Sequence, residues 1–150
     1  MMTENMIKSD KFLEAPITAN SMHTPQWLGA EGEAIAARYL VAHGCRIVER
    51  NYRYHRNEID IIALDGEALC FIEVKTRASL DKGHPAESVT AKKRKEIIRA
   101  ASGYLATRPD PWITCRFDVI SIRALRLDEQ RILDYRIEHI KGAFMTSDDL

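Results

Sequence analysis

Four charged side chains interrupt two otherwise oily runs in the stretch "NEIDIIALDGEALCFIEVKTR", residues 57–77. Glu58 and Asp60 fall in the first run, Glu73 and Lys75 in the second. Side chains alternate across a strand, and Asp65-Gly66 is a hairpin signal between two β-rich runs. A short symmetric turn there sets Asp60 opposite Glu73, with Lys75 two positions further along. Paired strands lie only about 5 Å apart, so these groups can meet. Two facing carboxylates repel, and either a cation or a raised pKa must offset that. Lys75 brings one positive charge. A hard divalent ion brings more, and oxygen ligands in a partly open site favour Mg²⁺ or Mn²⁺. Asp60 and Glu73 holding that ion, with Lys75 orienting a water or neutralising phosphoryl charge, are the working parts of metal-dependent phosphodiester hydrolysis.

A plainer reading competes with this one. Acids and lysines decorate the solvent face of many hairpins, where cross-strand pairs contribute only about 0.2–1 kcal/mol. Two features favour a site. Ile59, Ile61, Ile72 and Val74 imply that the opposite face is buried, and Ile62, Leu69 and Phe71 interrupt the charged face.

The elements around this hairpin follow from period and punctuation. Thr24-Pro25 reads as a helix start, with Thr as N-cap and Pro at the first helical position. The helix is expected over 24–43, closed by Gly44, with Trp27, Ala30, Ala34, Ala37 and Val41 as its apolar stripe and Glu33 at the stripe's edge. Strands are expected near 46–52, 58–64 and 68–76. Residues 77–87 carry Gly and Pro and read as a loop. Ser88 or Thr90 would cap a second helix reaching about residue 106, its inner stripe being Ile97, Ala101 and Tyr104. "WITCRFDVISI" and "RILDYRIEHI" read as two more strands. A strand–helix–strand crossover after a hairpin implies an α/β fold, a mixed β-sheet flanked by helices. Residues 1–23 read as a flexible leader, 24–141 as the folded domain and 142–150 as a flexible tail.

Lysine plus arginine number 22 and aspartate plus glutamate 22, so the net charge is zero. The distribution is uneven. Residues 91–100, "AKKRKEIIRA", hold five bases and one acid, whereas 128–150 hold six acids and three bases. A basic patch can steer a polyanion on a neutral protein. Lys92, Lys93, Arg94 and Lys95 open the second helix, where basic groups oppose its dipole; phosphate contact, foremost by Lys92 and Lys93, and a plain solvated face are the two readings. Arg53 and Arg56, mixed with Tyr54 and His55 just before the hairpin, could hold a nucleic-acid strand, and Thr76 and Arg77 follow the lysine closely enough to reach a phosphate. Glu58 reads as a strand-edge charge or as an outer support of the site. Asp118 reads as a structural partner of Arg116, and Trp27 as core. Cys45, Cys70 and Cys115 show no paired spacing; Cys70 and Cys115, inside apolar runs, read as small buried hydrophobes in a reducing cytoplasm. The start lacks an uninterrupted apolar segment, so no signal peptide is expected, and no run reaches membrane-spanning length.

Taken in order, "GAEGEAIAARYLVAHG", "RNYRYHRNEIDIIALDG", "LCFIEVKTR", "GHPAESVTAKKRKEIIRAASGYL" and "RFDVISI" resemble the YraN-like family of predicted bacterial nucleases. That family is similar to archaeal Holliday-junction resolvases within the restriction-endonuclease-like PD-(D/E)xK group. The resemblance covers about residues 27–122 and implies a restriction-endonuclease-like core with a metal site on the hairpin. It implies Asp60 as the motif aspartate, Glu73 as the second acid, Lys75 as the motif lysine and Glu33 as the first-helix glutamate that completes the metal shell. It also implies DNA, branched DNA included, as partner, and by analogy a homodimer. The motif proline is absent, Ile59 standing before Asp60. Asn57 stands where the family often has glycine, and asparagine tolerates a left-handed backbone. The other reading left open is a nucleic-acid-binding module on a nuclease fold that does not cleave.

Overall fold

The computed structural model describes residues 25–78, 89–108 and 114–146. The order is α1 (Gln26–Ala42), β1 (Arg46–Tyr54), β2 (Asn57–Asp65), β3 (Ala68–Ala78), α2 (Ala91–Ala106), β4 (Thr114–Asp128) and β5 (Arg131–Phe144). The five strands lie side by side in sequence order. β3 and β4 are parallel and every other pair is antiparallel. A parallel pair needs a crossover, and α2 lies within it. The result is an α/β fold, a mixed sheet with a helix on each face, arranged as a restriction-endonuclease-like core.

Both faces of the central strands of the sheet are buried. On one, Ile97, Ala100, Ala101 and Tyr104 of α2 pack on Ile62, Leu69, Phe71 and Val119. On the other, Ile35, Ala36 and Leu40 of α1 pack on Ile61, Ala63, Ile72 and Ile120. The hairpin of β2 and β3 is thus covered on both sides, and its charged residues are not decoration on a solvated face.

Several expectations need correcting. α1 begins at Gln26 with Pro25 in the N-cap position and no side-chain cap; Thr24 lies outside the described residues. The helix buries Leu28, Gly32, Ile35, Ala36 and Leu40, which lie on nearly the opposite side of the helix, about 180° round from the expected stripe. Val41 of that stripe is 58% exposed. The expected stripe is mostly alanine, whereas the buried face carries the larger aliphatics Leu28, Ile35 and Leu40, with Gly32 allowing close approach to β3. The predicted close holds: His43 is the C-cap and Gly44 has φ +87°. Thr90 caps α2, its Oγ1 accepting the Lys93 N–H at 3.2 Å, while Ser88 lies outside the described residues. β5 continues through Gly142 to Phe144, which is 5% exposed and stacks on Phe117 with ring centroids 5.0 Å apart. Trp27 is only partly buried, against Leu28 and Leu127. Cys70 is buried but Cys115 is exposed at the start of β4, and among the described residues no disulfide joins the cysteines. No helix among the described residues is long and apolar enough to cross a membrane.

Candidate functional site

The site forms where the sheet comes apart locally. The β2–β3 ladder runs from Asp65 opposite Ala68 to Ile61 opposite Ile72, the register expected from the Asp-Gly turn. One step further, at Asp60 and Glu73, the ladder parts. The backbone N–H of Val74 donates instead to Asp60 Oδ2, at 2.8 Å. On the other flank, β1 pairs Arg50 with Ile61 and Tyr52 with Ile59. Between them Asn51, level with Asp60, has φ +53°. Ile59 and Ile62 pack on the α2 side, yet Ile61 packs on the α1 side. Regular alternation would put Ile59 and Ile61 together. The slip at Asp60 therefore sets its carboxyl in the gap between strands, within reach of both layers.

Glu33 approaches this gap from α1. Its position is fixed by its neighbour Gly32, whose missing Cβ would lie 1.8 Å from Thr76 Oγ1. Only glycine lets the helix sit so low on β3. Glu73 enters from β3 and is 5% exposed. Both carboxyls interact with that of Asp60, and both are pushed up to about 7, first by burial and then by the Asp60 charge. Two lysines offset part of this: Lys75 Nζ lies 3.7 Å and Lys93 Nζ 3.9 Å from the same oxygen, Glu73 Oε1. The other oxygen, Glu73 Oε2, is buried with no hydrogen-bond partner. A buried carboxylate oxygen without a partner is costly, and a proton or a cation would satisfy it.

The structure thus brings Glu33, Asp60, Glu73 and Lys75 together. It also brings in Lys93, read from sequence only as a phosphate contact of the α2 entrance. Lys92 is exposed on the same first turn of α2. Arg53 lies 3.6 Å from Glu58 Oε2 and is 78% exposed. Arg56 is exposed in the β1–β2 turn, and Arg77 stands two residues beyond Lys75 in register with Arg123. Thr76 is not available to a phosphate, being buried under Gly32. Asn57 does not take a left-handed conformation; His55 does, with φ +56°, along with Asn51.

Sequence reasoning missed Asn51. With its NH₂ group facing the acids, Asn51 Nδ2 lies 3.2 Å from Glu33 Oε1 and 3.3 Å from Glu58 Oε1. Glu58 is therefore joined to the site, and its charge contributes to the rise at Glu33. An asparagine inside a strand-like run was the available signal, since strands are depleted in it.

A second polar cluster lies toward the hairpin tip and is structural. Asp118 is fully buried and accepts from Arg116 Nε at 2.8 Å, His139 Nε2 at 2.7 Å and the Gly142 N–H at 3.0 Å. Burial pushes its carboxyl up, but the hydrogen bonds from His139, Arg116 and Gly142 outweigh that and hold it at about 2. The predicted pairing with Arg116 holds, and Arg116 also reaches Asp65 at 2.9 Å.

The sequence profile described as "Uncharacterised protein family UPF0102" matches residues 32–122. The chain belongs to UPF0102, the YraN-like family that its motifs resemble. A UPF0102 protein of Chlorobaculum tepidum is 75% identical over 127 residues, 85% of this chain and 98% of the relative. One from Chlorobaculum parvum is 70% identical over 128 residues, covering 85% and 99%. A more distant one, from Nocardia farcinica, is 45% identical over 119 residues, covering 79% and 90%. The UPF0102 match takes in Glu33, Asn51, Asp60, Glu73, Lys75 and Lys93, so the cluster at the β2–β3 gap lies wholly within it.

Proposed function

We propose that this UPF0102 protein is a metal-dependent endonuclease that hydrolyses phosphodiesters of structured or branched DNA, in the manner of a junction resolvase. The observation that carries the reading is the buried, unpartnered Oε2 of Glu73 beside two further carboxyls in a gap between strands. The donor chemistry fits a hard divalent ion, Mg²⁺ or Mn²⁺: the oxygens are carboxylate, partly desolvated and mutually repulsive. Among the described residues no three acid, histidine or cysteine side chains stand in ready-made ligating geometry. Glu33, Asp60 and Glu73 would be the residues to hold the ion.

When bound, the ion supplies positive charge for the phosphoryl oxygens and acidifies a water. The chain's own residues do the rest. Asp60, fixed by the Val74 N–H, sets the position of the centre. Lys75 and Lys93 partly offset the charge of Glu73 in the free protein. Once Glu73 faces a cation, both ammonium groups can turn to phosphate, and Lys75 can orient the attacking water. Arg53, Arg56, Arg77 and Lys92 supply further phosphate contacts, which position DNA without reading its bases. Two symmetric cuts across a four-way junction require two copies of the site, and hence a homodimer. We place the protein in the cytoplasm, where a reducing environment suits the buried thiol of Cys70.

The test is a labelled four-way junction with Mn²⁺, beside duplex and single-stranded controls, for the wild type and Lys75→Ala. Junction cutting by the wild type that Lys75→Ala abolishes is expected. Tight junction binding with no cutting by either protein overturns the nuclease in favour of a DNA-binding module.

A further inference from the structure

We propose that Asn51 is a positioning residue that clamps Glu33 beside Asp60 through its side-chain amide; its role toward a cation rests on the metal-dependent reading above. Three observations converge. Asn51 is level with Asp60 across the β1–β2 ladder, between the pairs Arg50–Ile61 and Tyr52–Ile59. Its φ of +53° is a conformation that asparagine adopts with less strain than other residues bearing a Cβ. With the amide turned so that its NH₂ faces the acids, the nitrogen lies 3.2 Å from Glu33 Oε1 and 3.3 Å from Glu58 Oε1.

The chemistry matches the geometry. An amide nitrogen carries two N–H groups, and two carboxylate oxygens stand before it. The opposite orientation would set three oxygens against one another. Glu33 otherwise faces Asp60 and Glu58, both acidic, with Arg50 as the counter-charge. A lysine at position 51 would hold Glu33 too, but would neutralise it and compete with a cation. A neutral donor orients the carboxylate and leaves its charge in place. Side chains that bind metals commonly depend on such outer hydrogen bonds, whose loss lowers affinity about 10–100-fold. The left-handed backbone and the clamp are then one device, since the turn at Asn51 aims the amide away from the regular side-chain alternation and at the acids.

The experiment uses the full chain and two readouts. In the first, the ¹⁵N–¹H₂ cross-peaks of the Asn51 side chain are followed without metal in Glu33→Gln, Glu58→Gln and, as a remote control, Glu138→Gln. The clamp predicts that the first two move the peaks and the control does not. Peaks unmoved by Glu33→Gln and Glu58→Gln overturn it, because the amide then does not face the acids. In the second, Asn51→Gly keeps the left-handed backbone without strain and removes only the amide. It should keep the urea midpoint and bind Mn²⁺ about tenfold more weakly. Wild-type Mn²⁺ affinity in Asn51→Gly overturns the positioning role and leaves Asn51 as a turn residue. If the peaks move but the wild type binds no Mn²⁺, the clamp stands and the metal reading falls.

Discussion

Replacing Gly29 and Gly32 of α1 by alanine, one at a time, should move stability in opposite directions. At Gly29 an added Cβ meets nothing within 4 Å, so helix propensity acts alone and favours alanine by up to about 1 kcal/mol. At Gly32 the same atom would lie 1.8 Å from Thr76 Oγ1, 2.8 Å from its Cβ and 2.9 Å from its Cγ2. Thr76 is 9% exposed and cannot swing clear, so over-packing costs about 1–3 kcal/mol. After allowing for propensity, Gly32→Ala should be destabilising by up to about 2 kcal/mol. Urea unfolding reads this as a lower midpoint at unchanged slope. Thr76→Ala removes Oγ1 and Cγ2 but leaves the Cβ, so the double variant should recover part of the loss, with a coupling of about 1 kcal/mol. Because Glu33 follows Gly32, an α1 lifted by the new methyl also carries Glu33 away from Asp60, and Mn²⁺ affinity should fall with it. Stabilisation by both alanines, or strict additivity of Gly32→Ala and Thr76→Ala, would refute the close contact as the fixer of Glu33.

Two further outcomes follow from the buried carboxyls. Glu33 and Glu73 stand at about 7 in the folded protein against an ordinary 4.5, so the folded state binds more protons between those values. Their contribution to stability is full below pH 4.5 and is lost as pH rises through about 7. Urea midpoints of the metal-free protein should decline over that window; Mn²⁺ should oppose the decline and Asp60→Asn should flatten it, whereas a flat wild-type profile contradicts the mutual repulsion. Asp118 behaves oppositely: its carboxyl is lowered from 3.8 to about 2, so its contribution is present above 3.8 and lost only as pH falls through about 2. Asp118→Ala leaves His139 and the Gly142 N–H without their acceptor, while Arg116 keeps Asp65, and should cost about 2–3 kcal/mol, read as a fall in Tm; a change below about 1 kcal/mol would show that these partners find other acceptors.

The hairpin was legible because the Asp65-Gly66 turn pins its register, and one residue of slip would move every side chain to the other face. That register alone brought Asp60 to Glu73. The burial of both hairpin faces was also foreshadowed, by isoleucines and phenylalanine on either side of the alternation. The α1 face was only half legible: alanines on both sides give the helix two plausible stripes, of which Leu28, Ile35 and Leu40 mark the buried one, while the contact of Gly32 with Thr76, 44 residues away in number, leaves no local trace. The kink at Asp60 was hidden for a similar reason. It consists of a backbone N–H captured by a side chain and a left-handed Asn51 on the neighbouring strand, and neither leaves a periodic trace. Lys93 read as one of a run of bases; only the docking of α2 on the sheet singles it out as the one beside Glu73.

The central claim is that the gap at Asp60 is built to hold a divalent cation. Calorimetric titration of Mn²⁺ into the wild type, Asp60→Asn and Lys75→Ala, above about pH 7 where Glu33 and Glu73 are ionised, tests it without DNA or catalysis. Saturable binding by the wild type, retained by Lys75→Ala and lost by Asp60→Asn, is the predicted result. A wild type that takes up no Mn²⁺, or an Asp60→Asn variant that binds it equally well, would contradict the claim.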